Sequence, residues 1–419
     1  MAVTGSDTLV ARAADVWGTA VRLADAADAV AGRMPCIVLE PVDAAQLAAM
    51  LQWSDAEGLA IVPRGAGTKL DWTPPPQRVD GVLSTARLNA PVEHCAGDLT
   101  ATIPAGASIA AVNQLLAREG QWLPLDPVHA EHATIGGIVA ANDSGPRRQR
   151  YGTPRDLIIG VEVALTSGRV ARAGGRVVKN VAGYDLSRLL CGSFGTLGVI
   201  TRATFKLAPI PATSRTVVSS PGDVRQLSEA ALALVSGPLT PTAIELETPP
   251  LRLLVRFETT LRAAEEQAMR ALELCRRYDE GAAIVDAASE ADLWQRHSSG
   301  IFQAHQTVVK VSVLPARVGV LFEQVGAALG TNKIEWRAAG RAALGVMFIA
   351  LCGSPGQHAA AVDELRKAAA GLGGTAVGLS TSAEGTSLAS WVGAGDALPL
   401  MRAVKSRFDP HGTLPSLGV

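Results

Sequence analysis

The chain has few of the features that would let it hold a metal, bind nucleic acid or cross a membrane unaided. Its five cysteines, Cys36, Cys95, Cys191, Cys275 and Cys352, stand far apart and include no C-x-x-C pair. That spacing suits neither a disulfide framework nor an iron–sulfur or zinc ligand set, and buried free thiols are expected instead. The net charge is −1 and neither lysine nor arginine forms a block, which argues against a nucleic-acid surface or a polybasic membrane patch. The most apolar segment, Leu344 to Leu351, is far shorter than the ~20 residues of a membrane helix. The opening, MAVTGSDTLVARAADVW, has no basic start followed by a long apolar core, so no secretory signal is expected. These absences predict a cytoplasmic chain with no nucleic-acid partner and no direct membrane insertion, any membrane contact being made through a partner.

What the chain does have is glycine, gathered in distinct stretches. PRGAGTKL follows an apolar run, Leu59 to Val62, that reads as a strand; ATIGGIVAANDSGPRRQRYG and KNVAGYDLSRLLCGSFGTLGVIT come later. Small residues at such density let a backbone come close to a guest, and successive N–H groups can converge on an anion such as a pyrophosphate. The first loop is not a Walker A loop, since the Gly-Lys-Ser/Thr ending and its spacer are missing. It also fails as a Rossmann fingerprint, because Leu70 occupies the third glycine position. Taken alone it could be a tight turn with no ligand; joined to the later stretches it reads as part of a binding site.

At 419 residues the chain is too long for one ordinary core, and two domains are expected. A strand at Cys36 to Glu40, a helix over Asp43 to Glu57 capped by Asp43, and a strand at Ala60 to Pro63 make a small βαβ unit. Ala101 to Ile103 and Ser108 to Arg118 read as strand and helix, with Ser108 as N-cap. Leu157 to Thr166 alternates and turns at Ser167-Gly168 into Arg169 to Ala173. A strand over Val199 to Leu207 ends at Pro209 and Pro211, which sets the first boundary. Beyond it come helices at Asp223 to Val235, Leu261 to Arg277 and Gly356 to Leu372, and strands at Ala243 to Glu247, Leu251 to Phe257, Val308 to Leu314 and Arg341 to Leu351. Helices on an antiparallel sheet suit a domain that caps a ligand site.

The glycine stretches resemble the FAD-binding domain of the vanillyl-alcohol oxidase type, also called PCMH-type, shared by flavin-linked 2-hydroxy acid oxidases and dehydrogenases. Within that family the likeness runs to the smaller flavin-binding subunit of bacterial glycolate oxidase. It covers the first half of the chain well and the remainder loosely. The resemblance implies an α+β fold: a two-lobed FAD-binding domain over 1–210, a cap domain with an antiparallel sheet over 211–390, and a C-terminal return to the first domain over 391–419. VKSRFDPHGTL, Val404 to Leu414, matches the family's terminal motif, although Leu-Pro-Ser stands where Leu-Asn-Pro is usual.

Carried over position by position, the resemblance gives Arg64, Gly65, Ala66, Gly67, Thr68, Lys69 and Leu70 as backbone contacts to the pyrophosphate. Thr68 stands where some relatives hold a histidine bonded covalently to the flavin, so non-covalent FAD is expected. Leu125, Asp126 and Pro127 match the stretch near the isoalloxazine; Thr134, Gly136, Gly137, Asn142, Ser144, Gly145 and Gly152 match ribityl and phosphate contacts; Gly198, Val199 and Ile200 match a strand that approaches the cofactor through its backbone. Lys179 to Asp185 resembles a Lys-x-x-x-Gly-Tyr-Asp signature that could simply fix its loop.

Oxidising a 2-hydroxy acid needs a cation for the carboxylate and a base near the hydroxyl. The Gly-Asp-Gly-Asn-x-His stretch that supplies part of this in catalytic relatives is missing between Gly353 and His358, and Phe194 stands where a carboxylate is common. No metal site is expected. Among the remaining polar residues of the cap, His297, His305, Lys310, Glu335, Trp336, Arg337 and Arg341, the last is the candidate catalytic, anion-facing residue, with a surface charge as its alternative; either histidine reads as a surface or satisfied structural group. The implied protein is a flavin-binding subunit acting on a small 2-hydroxy acid with a homologous catalytic flavoprotein subunit and an iron–sulfur subunit. A self-sufficient FAD-dependent dehydrogenase and a non-catalytic flavin-binding scaffold are open alternatives.

Overall fold

The computed structural model describes residues 5–175, 185–303, 307–331, 333–352, 355–380 and 395–416. It forms two compact units: Met1–Ser144 with Thr153–Ile210 and Ala394–Val419, and Gly145–Gly152 with Pro211–Gly393.

The first unit holds the strands β1 (Val21–Leu23), β2 (Ile37–Leu39), β3 (Ile61–Arg64), β4 (Gly81–Ser84), β5 (Glu93–Cys95), β6 (Thr100–Pro104), β7 (Gln121–Trp122), β8 (Ile158–Ala164), β9 (Val170–Gly174), β10 (Val199–Lys206) and β11 (Ala208–Pro209). One sheet has the order β1-β2-β4-β3, with β2, β4 and β3 parallel. β2 and β4 are buried along their whole length, which is why they read as unbroken apolar runs rather than alternating ones. The helix Ala44–Ala56 links β2 to β3, and the Asp43 carboxylate caps it by accepting from the Gln46 N–H at 2.8 Å. The second sheet, β5-β6-β10-β8-β9, is antiparallel, while β7 pairs with β11 apart from it. Its core gathers Ile103, Leu116, Leu123, Ile135, Ile138 and Phe205.

The C-terminal stretch is fastened into this unit. Lys405 Nζ bonds the carbonyls of Thr196 at 2.9 Å and Leu414 at 3.1 Å and pairs with Asp409. Asp409 in turn accepts from the Thr413 and Leu414 N–H groups, and the Thr413 carbonyl receives the Ile61 N–H at 2.8 Å. The motif therefore ends against β3, with Leu414 held at both its N–H and its carbonyl.

The second unit is built on one eight-stranded antiparallel sheet. Its strands are β12 (Thr213–Ser219), β13 (Ala243–Thr248), β14 (Arg252–Thr259), β15 (Ala283–Ile284), β16 (Thr307–Ser312), β17 (Glu335–Arg341), β18 (Val346–Cys352) and β19 (Thr375–Ser380), in the order β15-β12-β14-β13-β17-β18-β16-β19. Side chains alternate faces along each strand. Ile244, Leu246, Leu253, Val255, Phe257, Met347 and Ile349 form one apolar core with Leu227, Ala268, Leu321 and Leu365 from the helices Val224–Ser236, Leu261–Cys275, Val318–Thr331 and Pro355–Gly371. The opposite face, which carries Glu245, Glu247, Glu258 and Arg341, packs on the helix Ala287–Gly300 through Leu293 and Trp294.

Three expectations change. Arg341 does not open the strand ending at Leu351: it closes β17, and the chain turns at Ala342–Gly345 into β18. Gly345 makes that turn at φ +67°, where a Cβ would lie 1.9 Å from the Val313 carbonyl oxygen. Residues 145–152, expected in the first domain, cluster with the second unit, because Arg147 forms a two-pronged pair with Glu258 at 3.0 and 2.9 Å. Finally, only Cys191 and Cys275 are buried thiols, both pushed up to about 12 by burial; Cys95 is exposed, and Cys36 and Cys352 are half-buried.

Candidate functional site

In the first unit the glycine stretches meet. A cleft of about 70 Å³ is lined by Arg64 and Gly65 at the end of β3, by Gly136 and Gly137 in the helix Ile135–Ala141, by Gly195 and Gly198 in the turn before β10, and by Val199 and Ile200 at its start. A second cleft of about 50 Å³ shares Pro63 and Phe194 with it and adds Lys69, Leu70 and the tail residues Pro415 and Ser416. Both are smaller than the ~300 Å³ of an enclosed small-molecule pocket, so an extended ligand would lie along them rather than inside.

The glycines are required for different reasons. At Gly65 a Cβ would lie 2.1 Å from Thr134 Oγ1, and at Gly136 one would meet Ala105 Cβ at 2.9 Å, so those two permit close packing of protein on protein. Gly67 is needed for its backbone, at φ +78°. Gly137 differs from all of these: a Cβ there would touch only Thr134 Oγ1, at 3.3 Å, leaving its open side to the cleft.

Charged side chains brace the first loop from behind. The Arg64 guanidinium turns away to the Ala27 carbonyl at 3.2 Å and to Asp28, a buried carboxylate that Arg22 also holds. The hydrogen bonds from Arg22 and Arg64 outweigh burial and keep Asp28 far below the usual carboxylate range. Lys69 is buried too, pairing with Asp143 at 3.2 Å and bonding the carbonyl of Val128 at 3.1 Å, while Asp143 accepts from the Val128 N–H at 2.9 Å. One buried ion pair thus ties the first glycine loop to the segment after Leu125, Asp126 and Pro127 and to the loop of Asn142 and Ser144. Asn142 adopts φ +48° and its side-chain oxygen accepts from the Arg155 N–H at 3.3 Å, so it shapes the loop. Phe194, at φ +51°, donates its N–H to the Ala140 carbonyl at 2.8 Å and closes the turn Gly192 to Gly195 onto the end of that helix.

Of the residues singled out in sequence, Arg64, Gly65, Gly136, Gly137, Gly198, Val199 and Ile200 line the first cleft, and Lys69 and Leu70 the second. Ala66, Gly67 and Thr68 belong to the loop between them, and Thr134 is the N-cap residue beneath Gly65. Leu125 is core. Gly145 and Gly152 lie in the second unit. Of Lys179 to Asp185 only Asp185 is among the described residues, where it caps the helix Leu186–Leu190. The braces Asp28 and Asp143 are not among the residues singled out, since nothing local to either aspartate signals its burial.

The second unit has its own polar cluster. Arg341 is not a surface charge: it is buried, with Nε 3.3 Å from the Gly145 carbonyl and 3.6 Å from Glu245 Oε1, and its guanidinium stacks 4.9 Å from the Phe348 ring. His297 is buried between Glu245, at 2.9 Å, and Glu247, at 2.8 Å. Burial opposes its charge, but the two carboxylates prevail and hold its pKa up at about 9. His358 bonds Thr307 Oγ1 at 2.8 Å, and burial lowers its pKa. Trp336 packs on Phe322, and Arg337 donates to Gln303 at 2.7 Å. His305 and Gly353 lie outside the described residues. Among the described residues no group of three His, Cys, Asp or Glu side chains is placed to hold a metal, and no helix is long and apolar enough to cross a membrane.

Comparison with known proteins bears directly on the first cleft. Residues 35–174 match the family described as FAD binding domain. This segment is an FAD-binding domain. The chain is 33% identical over 222 residues to glycolate oxidase subunit GlcD of Bacillus subtilis (53% of this chain, 47% of that protein). It is 30% identical over 314 residues to a D-2-hydroxyglutarate dehydrogenase of Xanthomonas citri pv. viticola (67% and 66%), and 44% identical over 118 residues to glycolate oxidase subunit GlcE of Escherichia coli (28% and 34%). The matches thus span from 34% to 66% of these relatives' own lengths. Among solved structures, an alkyldihydroxyacetonephosphate synthase superposes with a TM-score of 0.70 at 16% identity, over 91% of this chain and 77% of that one. The fold is the α+β arrangement of PCMH-type FAD-binding proteins.

The residues of the cleft fit that cofactor. Gly137 leaves open the space that any Cβ would fill, and Ser193 in the adjoining turn has a buried hydroxyl with no hydrogen-bond partner among the described residues. Neither feature serves the packing of the protein on itself.

Proposed function

We propose that the chain is an FAD-binding oxidoreductase that takes part in oxidising a small 2-hydroxy acid to the 2-oxo acid, as a subunit of a complex of the glycolate oxidase kind. The observation that carries the flavin part is the convergence of Gly65, Gly137 and Gly198 on one cleft. The substrate class rests on the relatives, whose names speak of glycolate and D-2-hydroxyglutarate. When bound, FAD supplies a two-electron acceptor for hydride. The chain's own residues then have separable tasks: backbone N–H groups of residues 64–70 hold the phosphates, Lys69 and Asp143 keep that loop in place, and Arg341 meets the substrate carboxylate. The homologous catalytic flavoprotein subunit and the iron–sulfur subunit would supply what this chain lacks, since its scattered cysteines cannot ligate a cluster.

A second reading, a self-sufficient dehydrogenase, is favoured by the buried charges on the second unit's sheet. Ionisable groups kept out of water at such cost are commoner at functional sites than in inert walls. Stopped-flow reduction of the FAD-loaded chain separates the two. The subunit reading expects little or no bleaching by glycolate or D-lactate until the partners are co-purified; fast bleaching of the isolated chain, at a rate matching turnover, overturns it.

A further inference from the structure

Beside Arg341 an imidazole is buried between two acids. Glu245 and Arg341 are direct cross-strand partners on β13 and β17. Glu245 shows one oxygen to Arg341 and the other to His297 Nε2, while His297 Nδ1 faces Glu247, which Arg252 of β14 also holds. Carboxylates only accept, so an imidazole bonded to one at each nitrogen needs a proton on both. His297 lies in the last turn of the helix Ala287–Gly300, where the helix dipole also favours a cation, and Trp294 of the same helix meets its ring edge-on with centroids 5.6 Å apart.

We propose that His297, as an imidazolium shared by Glu245 and Glu247, is a positioning residue that divides the charge of Glu245 and so loosens its hold on Arg341 in favour of an anionic ligand of the carboxylate class. This role rests on the reading of Arg341 as the carboxylate-binding group. With His297 charged, Glu245 is shared between two cations and sits at 3.6 Å from Arg341, longer than a close ion pair. Without that charge, Arg341 is the one cation left to Glu245 among the contacts described above, and the tightened pair competes with the ligand for the guanidinium. His297 thus acts through Glu245 and does not touch the ligand.

The test is calorimetric titration of the FAD-loaded protein with oxalate, a carboxylate probe, across pH 7 to 10. Wild type is expected to bind, with affinity falling as pH rises through about 9, where His297 gives up its proton. His297→Gln is expected to bind oxalate about tenfold more weakly with no such fall, and Glu247→Gln to shift the fall to lower pH, because one supporting charge has gone. In turnover the loss should appear in KM far more than in kcat. Unchanged affinity in His297→Gln, or a flat wild-type profile, overturns the proposal, and the wild-type profile decides the matter even if the variant does not fold. Arg341→Lys separates the two levels. If it loses oxalate while His297→Gln keeps it, only the positioning role fails; if it binds as wild type does, or wild type does not bind, the assignment of Arg341 fails as well.

Discussion

Two neighbouring glycines give a sharp test of the cofactor cleft, because the same substitution has opposite consequences at each. Gly136→Ala places a methyl 2.9 Å from Ala105 Cβ and 3.2 Å from the Ala105 carbonyl oxygen, an overpacking that costs about 1–3 kcal/mol. Gly137→Ala meets only Thr134 Oγ1, at 3.3 Å, while replacing glycine inside a helix gains about 0.5–1 kcal/mol. Without cofactor, the first variant should therefore unfold at lower urea than wild type, and the second at the same or higher urea. FAD reverses the order of interest. The new methyl of Gly137→Ala occupies the open side of the cleft, and a tenfold loss of affinity corresponds to about 1.4 kcal/mol. At a concentration of 100 Kd, FAD stabilises wild type by about 2.7 kcal/mol, and a tenfold weaker site by about 1.4 kcal/mol. Urea melts with and without FAD, together with a flavin fluorescence titration, measure both quantities. If Gly137→Ala folds and takes up FAD with wild-type affinity, the open face of Gly137 does not meet the cofactor and the assignment of the cleft is wrong.

Other expectations follow from the same geometry. Acid precipitation should release FAD into the supernatant, since Thr68 cannot form the covalent link; flavin retained on the denatured pellet, or FMN in place of FAD, refutes this. Gly67→Asp puts a side chain and a negative charge at φ +78° in the proposed phosphate loop, so the purified variant should carry no flavin by absorbance. Lys69→Met leaves Asp143 buried without its cation, for a loss of about 3–5 kcal/mol of stability in chemical denaturation; an unchanged midpoint would show that the pair does not brace the loop. Burial opposes ionisation of Glu258, but the hydrogen bonds from Arg147 prevail and hold it below its ordinary value of 4.5. Its contribution should be complete above pH of about 4.5 and vanish as pH falls through the lower folded value. Glu258→Gln should flatten that acid limb of stability against pH, and an unaltered limb would assign it elsewhere.

The parts of the fold that can be read in the sequence are those governed by local rules. Asp43, Ser108 and Asp223 announce helix starts because a cap acts within three residues, and Ser167-Gly168 announces a hairpin because the turn needs φ +77° at Gly168. Gly65 and Gly137 stand out as small residues, yet nothing local tells which of them packs on Thr134 and which faces open space. The polar face of the second unit is hidden for a related reason. Ala243-Ile244-Glu245-Leu246-Glu247 alternates as a strand with one face in water would, and only the tertiary placement of the helix Ala287–Gly300 turns that face into a buried layer. His297 reads in sequence as an ordinary structural histidine because its partners lie about fifty residues away on β13. Glycine density marks the loops that line the cleft, whereas a scattered set of single charges has no comparable signature.

The interlacing of the chain has a consequence for how the protein is made and how it could be altered. Residues 145–152 are synthesised with the first unit but complete the second, where Arg147 pairs with the buried Glu258; residues 394–419 are synthesised after the second unit but complete the first, where the Thr413 carbonyl receives the Ile61 N–H of β3. The first body is therefore not whole until the second has been made. A nascent chain halted midway would expose an unfilled edge of the flavin domain and, until β14 emerges, would lack the pair between Arg147 and Glu258. For the same reason neither body is a transferable cassette. A cut near residue 210 would part Arg147 from Glu258 and take the tail away from the first body, so the two halves could be exchanged between relatives only together.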